Sequence, residues 1–184
     1  MKVVVAIDSF KGSMTSMEAG MAVKAGVLAA HKDAEVIVKP LADGGEGTTD
    51  ALIEGLNGER VDVTVTGPYH EPVNAYYGYL KDTNTAVMEM ASAAGITISE
   101  QKDPMTATTY GVGEMILHAI NKGIRNFIIG IGGSATNDGG IGMLKALGFT
   151  FLDKDGQDTG EGGQALAKAV SYTHLRAHET SQDL

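Results

Sequence analysis

The chain has 184 residues and an acidic balance, 23 Asp plus Glu against 14 Lys plus Arg, which argues against broad binding to nucleic acid or to an anionic membrane. It has no cysteine, so a disulfide framework and a thiolate metal site are excluded, and a reducing cytoplasm is the expected setting. The 25 glycines exceed the ~7% of average usage and follow no period, which excludes collagen and points to loops whose bare backbone lets other groups come close.

Residues 3–7 (VVVAI) are an apolar run of buried-strand type, followed by the polar loop SFKGS. Thr15 and Glu18 make a capping-box pair ahead of a helix whose face is Met17, Met21, Ala25 and Leu28. Residues 35–41 read as a second strand. The loop ADGGEG and a short helix over 48–56, closed by Asn57 and Gly58, come next. Strand–helix–strand–helix is the pattern of an α/β sheet. After Arg60 the pattern alternates. Residues 61–66 and 73–80 read as strands around the Gly67-Pro68 turn, a hairpin-like excursion with a domain boundary near Gly67. Residues 85–90 form another strand. Val112, Met115, Ile116, Ala119 and Ile120 give a helical stripe ended by Gly123. Residues 126–131 are a buried strand, 141–147 a short helix and 149–152 a strand. The last residues, from 171 onward, show no apolar period and no strand, and are expected not to pack as an ordered part of the fold. His174 and His178 there have i,i+4 spacing, which alone is a weak metal signal.

Three loops each follow an apolar strand and precede a helix, the position where open α/β sheets bind ligands. IDSFKGS (7–13) offers Lys11 as a compact cation for a phosphate or carboxylate. PLADGGEGT (40–48) has Gly44, Gly45 and Gly47, whose N–H groups could face an anion at a helix N-terminus. Asp43 and Glu46 would suit that loop if Mg²⁺ were held there against phosphates. GIGGSATNDGG (130–140) offers N–H groups, the hydroxyls of Ser134 and Thr136, the amide of Asn137 and the carboxylate of Asp138, which could orient a substrate hydroxyl or coordinate Mg²⁺. The same stretch, Gly130-x-Gly132-x-x-Ala135 with Asp153 about twenty residues on, also fits a dinucleotide fingerprint. The alternative it supports is a dinucleotide-binding dehydrogenase half. Against that alternative, Thr136, Asn137 and Asp138 delay the helix.

IDSFKGS, PLADGGEGT and GIGGSATNDGG, with TAVMEMASAAG (85–95) and DPMTATTYGVGEMI (103–116) between them, resemble the signature segments of the bacterial glycerate kinase family, from residue 1 to about 170. The resemblance implies a two-domain α/β architecture, a Rossmann-like first domain interrupted by a second α/β domain, both incomplete in this chain. Residues 1–66 would open the first, 67–170 the second, and 171–184 would be a foreign tail. It implies ATP-dependent phosphorylation of D-glycerate to a phosphoglycerate, with weak preference for the 2-position, Mg²⁺ as cofactor, and a fragment too short to act alone. Oligomeric state is left open. Lys11, Asp43 and Asp138 would be catalytic, with Asp43 and Asp138 on the metal. Ser9, Ser13, Gly44, Gly45, Glu46, Gly47 and Thr48 would bind substrate or ATP from the first domain. Gly132, Gly133, Ser134, Thr136 and Asn137 would do so from the second. Lys102 stands where the family commonly has Arg before Asp-Pro, which weakens any two-pronged anion grip there.

Overall fold

The computed structural model describes residues 1–10 and 13–174. In chain order the strands are β1 (Lys2–Ile7), β2 (Glu35–Pro40), β3 (Glu59–Thr66), β4 (Pro72–Leu80), β5 (Thr85–Glu89), β6 (Asn126–Gly130), β7 (Phe149–Leu152) and β8 (Ser171–His174). The helices are α1 (Ser16–Ala30), α2 (Thr48–Gly55), α3 (Ala91–Ala94), α4 (Tyr110–Asn121), α5 (Ile141–Ala146) and α6 (Gly163–Leu166). The α/β class expected from the alternating pattern is the class observed. The chain forms two compact units. One comprises residues 1–61, 77–89 and 126–132, and the other 62–76, 90–125 and 133–184. The chain therefore passes between units five times, where the sequence suggested one boundary near Gly67.

In the first unit, β1 and β2 are parallel, in register from Lys2↔Glu35 to Ile7↔Pro40. A parallel pair needs a crossover, and α1 supplies it. The capping box is present: Thr15 Oγ1 accepts from Glu18 N–H while the Glu18 carboxylate accepts from Thr15 N–H at 2.8 Å. Two orphan donors of the first turn are thereby satisfied. Gly20 brings α1 against Val38 and Ile7, and Ser16 donates to Leu41 O at 2.9 Å. A four-stranded sheet runs in the order β3-β4-β5-β6. β5 is buried along its whole length, as a central strand of Ala, Val and Met should be. It pairs antiparallel with β4 and parallel with β6.

The second unit buries Ala91, Ala93, Ala94, Val112, Met115, Ile116, Ala119 and Ile141, which include the stripe read from the sequence except for Ile120, which is half-buried. α4 and α5 approach closely at Gly113, where an added Cβ would lie 2.3 Å from Met143 O. The Thr66 N–H at the end of β3 donates to Glu114 at 2.6 Å.

The expectation for the C-terminal stretch is corrected in part. Ser171–His174 forms β8, antiparallel to β7 from Leu152↔Ser171 to Phe149↔His174, and Tyr172 lies beside Phe151 with ring centroids 6.2 Å apart. Tyr and Thr favour a pleated, half-exposed strand even without an apolar period, and a backbone ladder with β7 suffices to order them. Residues 175–184, including His178, lie outside the described residues.

Candidate active site

Within the first unit two of the three loops leave from paired strand ends. Ile7 and Pro40 are register partners, and Leu41 N–H donates to Ile7 O at 3.0 Å. In the first loop Asp8 Oδ1 accepts from Ser9 N–H at 2.6 Å, and Ser13 N–H donates to Phe10 O at 2.8 Å. Ser9 is half-buried and Ser13 exposed. Lys11 lies outside the described residues.

The second loop differs from the sequence expectation of N–H groups open to an anion. Gly44 N–H donates to Thr48 Oγ1 at 3.1 Å and Gly45 N–H to Asp43 Oδ1 at 3.0 Å. Gly47 N–H donates to Glu89 Oε2 at 3.3 Å, and Thr49 N–H to Glu89 Oε1 at 2.6 Å. The reason lies at the start of α2, whose N-cap is Gly47, left-handed at φ 89° and without a side chain to cap the helix. Glu89, at the end of β5, supplies the missing acceptors. Burial pushes its carboxyl above the usual range and Asp50 adds to the push, while the bonds from Thr49 and Gly47 oppose it. Asp43 and Glu46 remain exposed on the outer side of the turn.

The third loop is bound to the second at its start. Gly132 N–H donates to Gly44 O at 2.8 Å. An added Cβ at Gly130 would lie 2.6 Å from Gly44 O, and one at Gly132 would lie 2.8 Å from Gly45 Cα. These two glycines serve a backbone-to-backbone seam. That observation, with a helix that starts only at Ile141 and runs six residues, removes the structural basis of the dinucleotide fingerprint, which needs the helix N-terminus at the glycines.

In the second unit, Ser134 Oγ and Thr136 Oγ1 are 2.7 Å apart, and Asn137 is exposed. Ile96 N–H donates to Gly133 O and Ala135 N–H to Ala94 O, both at 2.8 Å, fastening the loop to the ASAAG turn. Asp138 is only 1% exposed. Its Oδ2 accepts from Thr109 N–H (2.9 Å), Thr109 Oγ1 (2.8 Å) and Gly142 N–H (3.2 Å), and its Oδ1 from Gly140 N–H (3.0 Å). Thr109 Oγ1 in turn accepts from Met143 N–H at 2.9 Å. Asp138 thus ties together the starts of α4 and α5, and both of its oxygens accept from protein donors. Lys102 Nζ donates to the carbonyls of Ile96 and Ser99, so in this arrangement it staples its own loop.

Sequence reasoning missed Glu89, Thr108, Thr109 and Glu161. Thr108 Oγ1 donates to Glu161 Oε2 at 2.6 Å. For Glu89 a signal existed: a lone carboxylate ending an otherwise apolar buried strand needs a built set of donors. Among the described residues no group of three or more His, Asp or Glu side chains could hold a metal ion, and no helix is long and apolar enough to cross a membrane.

The family model for the glycerate kinase family matches residues 3–184. The chain is 45% identical over 162 residues to a glycerate kinase of Bacillus subtilis strain 168, covering 87% of this chain and 42% of that protein. It is 46% identical over 162 residues to a glycerate 2-kinase of Escherichia coli K12, with the same two coverages. A crystal structure of a protein provisionally named glycerate kinase 2, from Salmonella typhimurium LT2, superposes with a TM-score of 0.82 at 45% identity, covering 94% of this chain and 46% of that one. The chain thus spans less than half the length of these relatives, and over the part it spans it belongs to the glycerate kinase family.

Proposed function

We propose that this chain is part of an enzyme that transfers the γ-phosphoryl group of ATP to a hydroxyl of D-glycerate. The observation that carries the reading is the seam at Gly44 and Gly132, which holds PLADGGEGT and the start of GIGGSATNDGG together within the first unit. Phosphoryl transfer asks mainly for positioning and charge stabilisation, and rigid glycine turns provide the first. In the first unit Lys11 meets a phosphate or carboxylate, and Ser9 and Ser13 offer hydroxyl donors. In the second unit Ser134, Thr136 and Asn137 offer accessible polar groups beside the Gly133 backbone.

The residues fit Mg²⁺ unequally. Asp43 is exposed and one of its oxygens is engaged by Gly45, so it suits a metal that takes one or two carboxylates and completes its shell with water and phosphate oxygens. Glu46 is exposed on the same turn. Asp138 fits a metal poorly, because both its oxygens already accept protein donors in a buried setting. We therefore assign Asp138 to holding the loop. When bound, Mg²⁺ would neutralise phosphate charge. The relative named glycerate 2-kinase supports the 2-hydroxyl as acceptor. The reading also makes the enzyme cytoplasmic and the fragment inactive alone.

The test joins residues 1–170 to the segment of the Bacillus subtilis relative beyond its matched region and measures ADP release. Release should require glycerate and Mg²⁺ together, and the product should be the 2-phosphate. ATP turnover indifferent to glycerate overturns the assignment.

A further inference from the structure

Glu89 occupies a junction inside the first unit. Its backbone pairs with Gly130 across the β5–β6 ladder, at the point where the third loop departs. Its side chain holds Gly47 and Thr49 N–H in the second loop. Those two loops then meet again at the bond from Gly132 N–H to Gly44 O.

We propose that Glu89 is a positioning residue that couples the two glycine-rich turns, fixing the second so that Gly44 O is presented to Gly132 N–H. A residue acting on a ligand needs an accessible oxygen, whereas Glu89 is 5% exposed and both its oxygens accept backbone donors. A buried carboxylate is unfavourable unless its charge is used. Here the use is stereochemical. Two N–H groups two residues apart need two acceptor oxygens held by one rigid strand. A glutamine offers only one oxygen and would turn an NH₂ toward the other donor. An aspartate is one methylene short. The ionisable groups on the elements packed against β5 are Asp50 and Glu54 on α2 and Tyr76, Tyr77 and Tyr79 on β4. β6 carries none, and Asp43 and Glu46 lie on the turn itself.

The experiment uses the 184-residue chain, ¹⁵N-labelled, as wild type, Glu89→Gln and Glu89→Asp, and reads amide hydrogen exchange and chemical shifts residue by residue. It needs no substrate, so it stands or falls separately from the proposed reaction. In Glu89→Gln the amides of Gly47 and Gly132 should exchange at least about tenfold faster, the loss of one bond to a charged acceptor. The amides of β2 should be unchanged. Gly132 is diagnostic because its N–H donates to Gly44 O, not to the Glu89 side chain. In the wild type, the shifts of Gly47, Thr49 and Gly132 should titrate together as pH falls, with a midpoint above that of an ordinary glutamate, and the joint titration should vanish in Glu89→Gln. If Gly47 and Thr49 respond while Gly132 does not, Glu89 only caps α2 and the coupling is refuted. Should both variants fail to fold, the wild-type titration decides the question by the same criterion.

Discussion

Asp138 and Glu89 are both buried carboxylates at strand-end turns, and their surroundings differ in a measurable way. Asp138 gathers four donors from three backbone N–H groups and one hydroxyl. Asp138→Asn replaces an acceptor oxygen with a donor facing other donors. It should destabilise the second unit by about 2–3 kcal/mol, seen as a lower urea midpoint at unchanged slope. Full stability with lost turnover would return Asp138 to the chemistry. Glu89 has its folded pKa raised, first by burial. The folded state then binds this proton more tightly than the unfolded state, so Glu89's contribution to stability grows as pH falls through its folded pKa toward the unfolded value. Asp158 behaves oppositely. Its pKa is lowered, chiefly by Lys145, so its contribution is present above the unfolded value and lost as pH falls through the folded one. Comparing wild type with Glu89→Gln in urea between neutral pH and the range just above an ordinary glutamate isolates the first effect; no difference in pH slope would contradict it. Which carboxylates point outward was not legible in the sequence. Asp43 and Asp138 each sit beside glycine, yet one is exposed and the other buried, and only the donors around them, arriving in the case of Asp138 from a distant segment, separate an exposed group from a cap.

Element by element, local chemistry was readable and long-range pairing was not. The capping box at Thr15 and Glu18, the β-branched runs of β1 and β2 and the α4 stripe all follow from neighbours within a few positions. β8 was not readable because its order comes from the ladder with β7, about twenty residues earlier. The start of α2 was misjudged for a similar reason: its acceptor comes from β5, some forty residues on. Gly113 tests the packing of α4 on α5. Alanine is intrinsically better in a helix by about 1 kcal/mol, but its Cβ would lie 2.3 Å from Met143 O and 2.7 Å from Ala146 Cβ. Gly113→Ala should therefore cost about 1–3 kcal/mol net by thermal unfolding, the range for overpacking. A neutral or stabilising result would mean the two helices separate easily.

Across the molecule, the first unit leaves Val4 (60%), Ile128 (46%) and Ile131 (77%) open to solvent, and among the described residues β6 is the last strand of its sheet. An apolar edge strand is a template for association. The isolated chain should bind a hydrophobic dye and self-associate with rising concentration, by light scattering, and Ile131→Lys should reduce both. Monodisperse behaviour with no dye binding would contradict this reading. The two-unit organisation was only partly legible, since five crossings of the chain cannot be inferred from one change of pattern near Gly67. The Gly44–Gly132 seam has a further consequence. Because side chains at Gly130 and Gly132 would strike backbone, a variant library sorted for soluble expression alone, with no nucleotide or acid present, should already be depleted at both codons. Intolerance there would then be an imprint of chain assembly, and turnover screens would first have to subtract it before reading either position as chemistry.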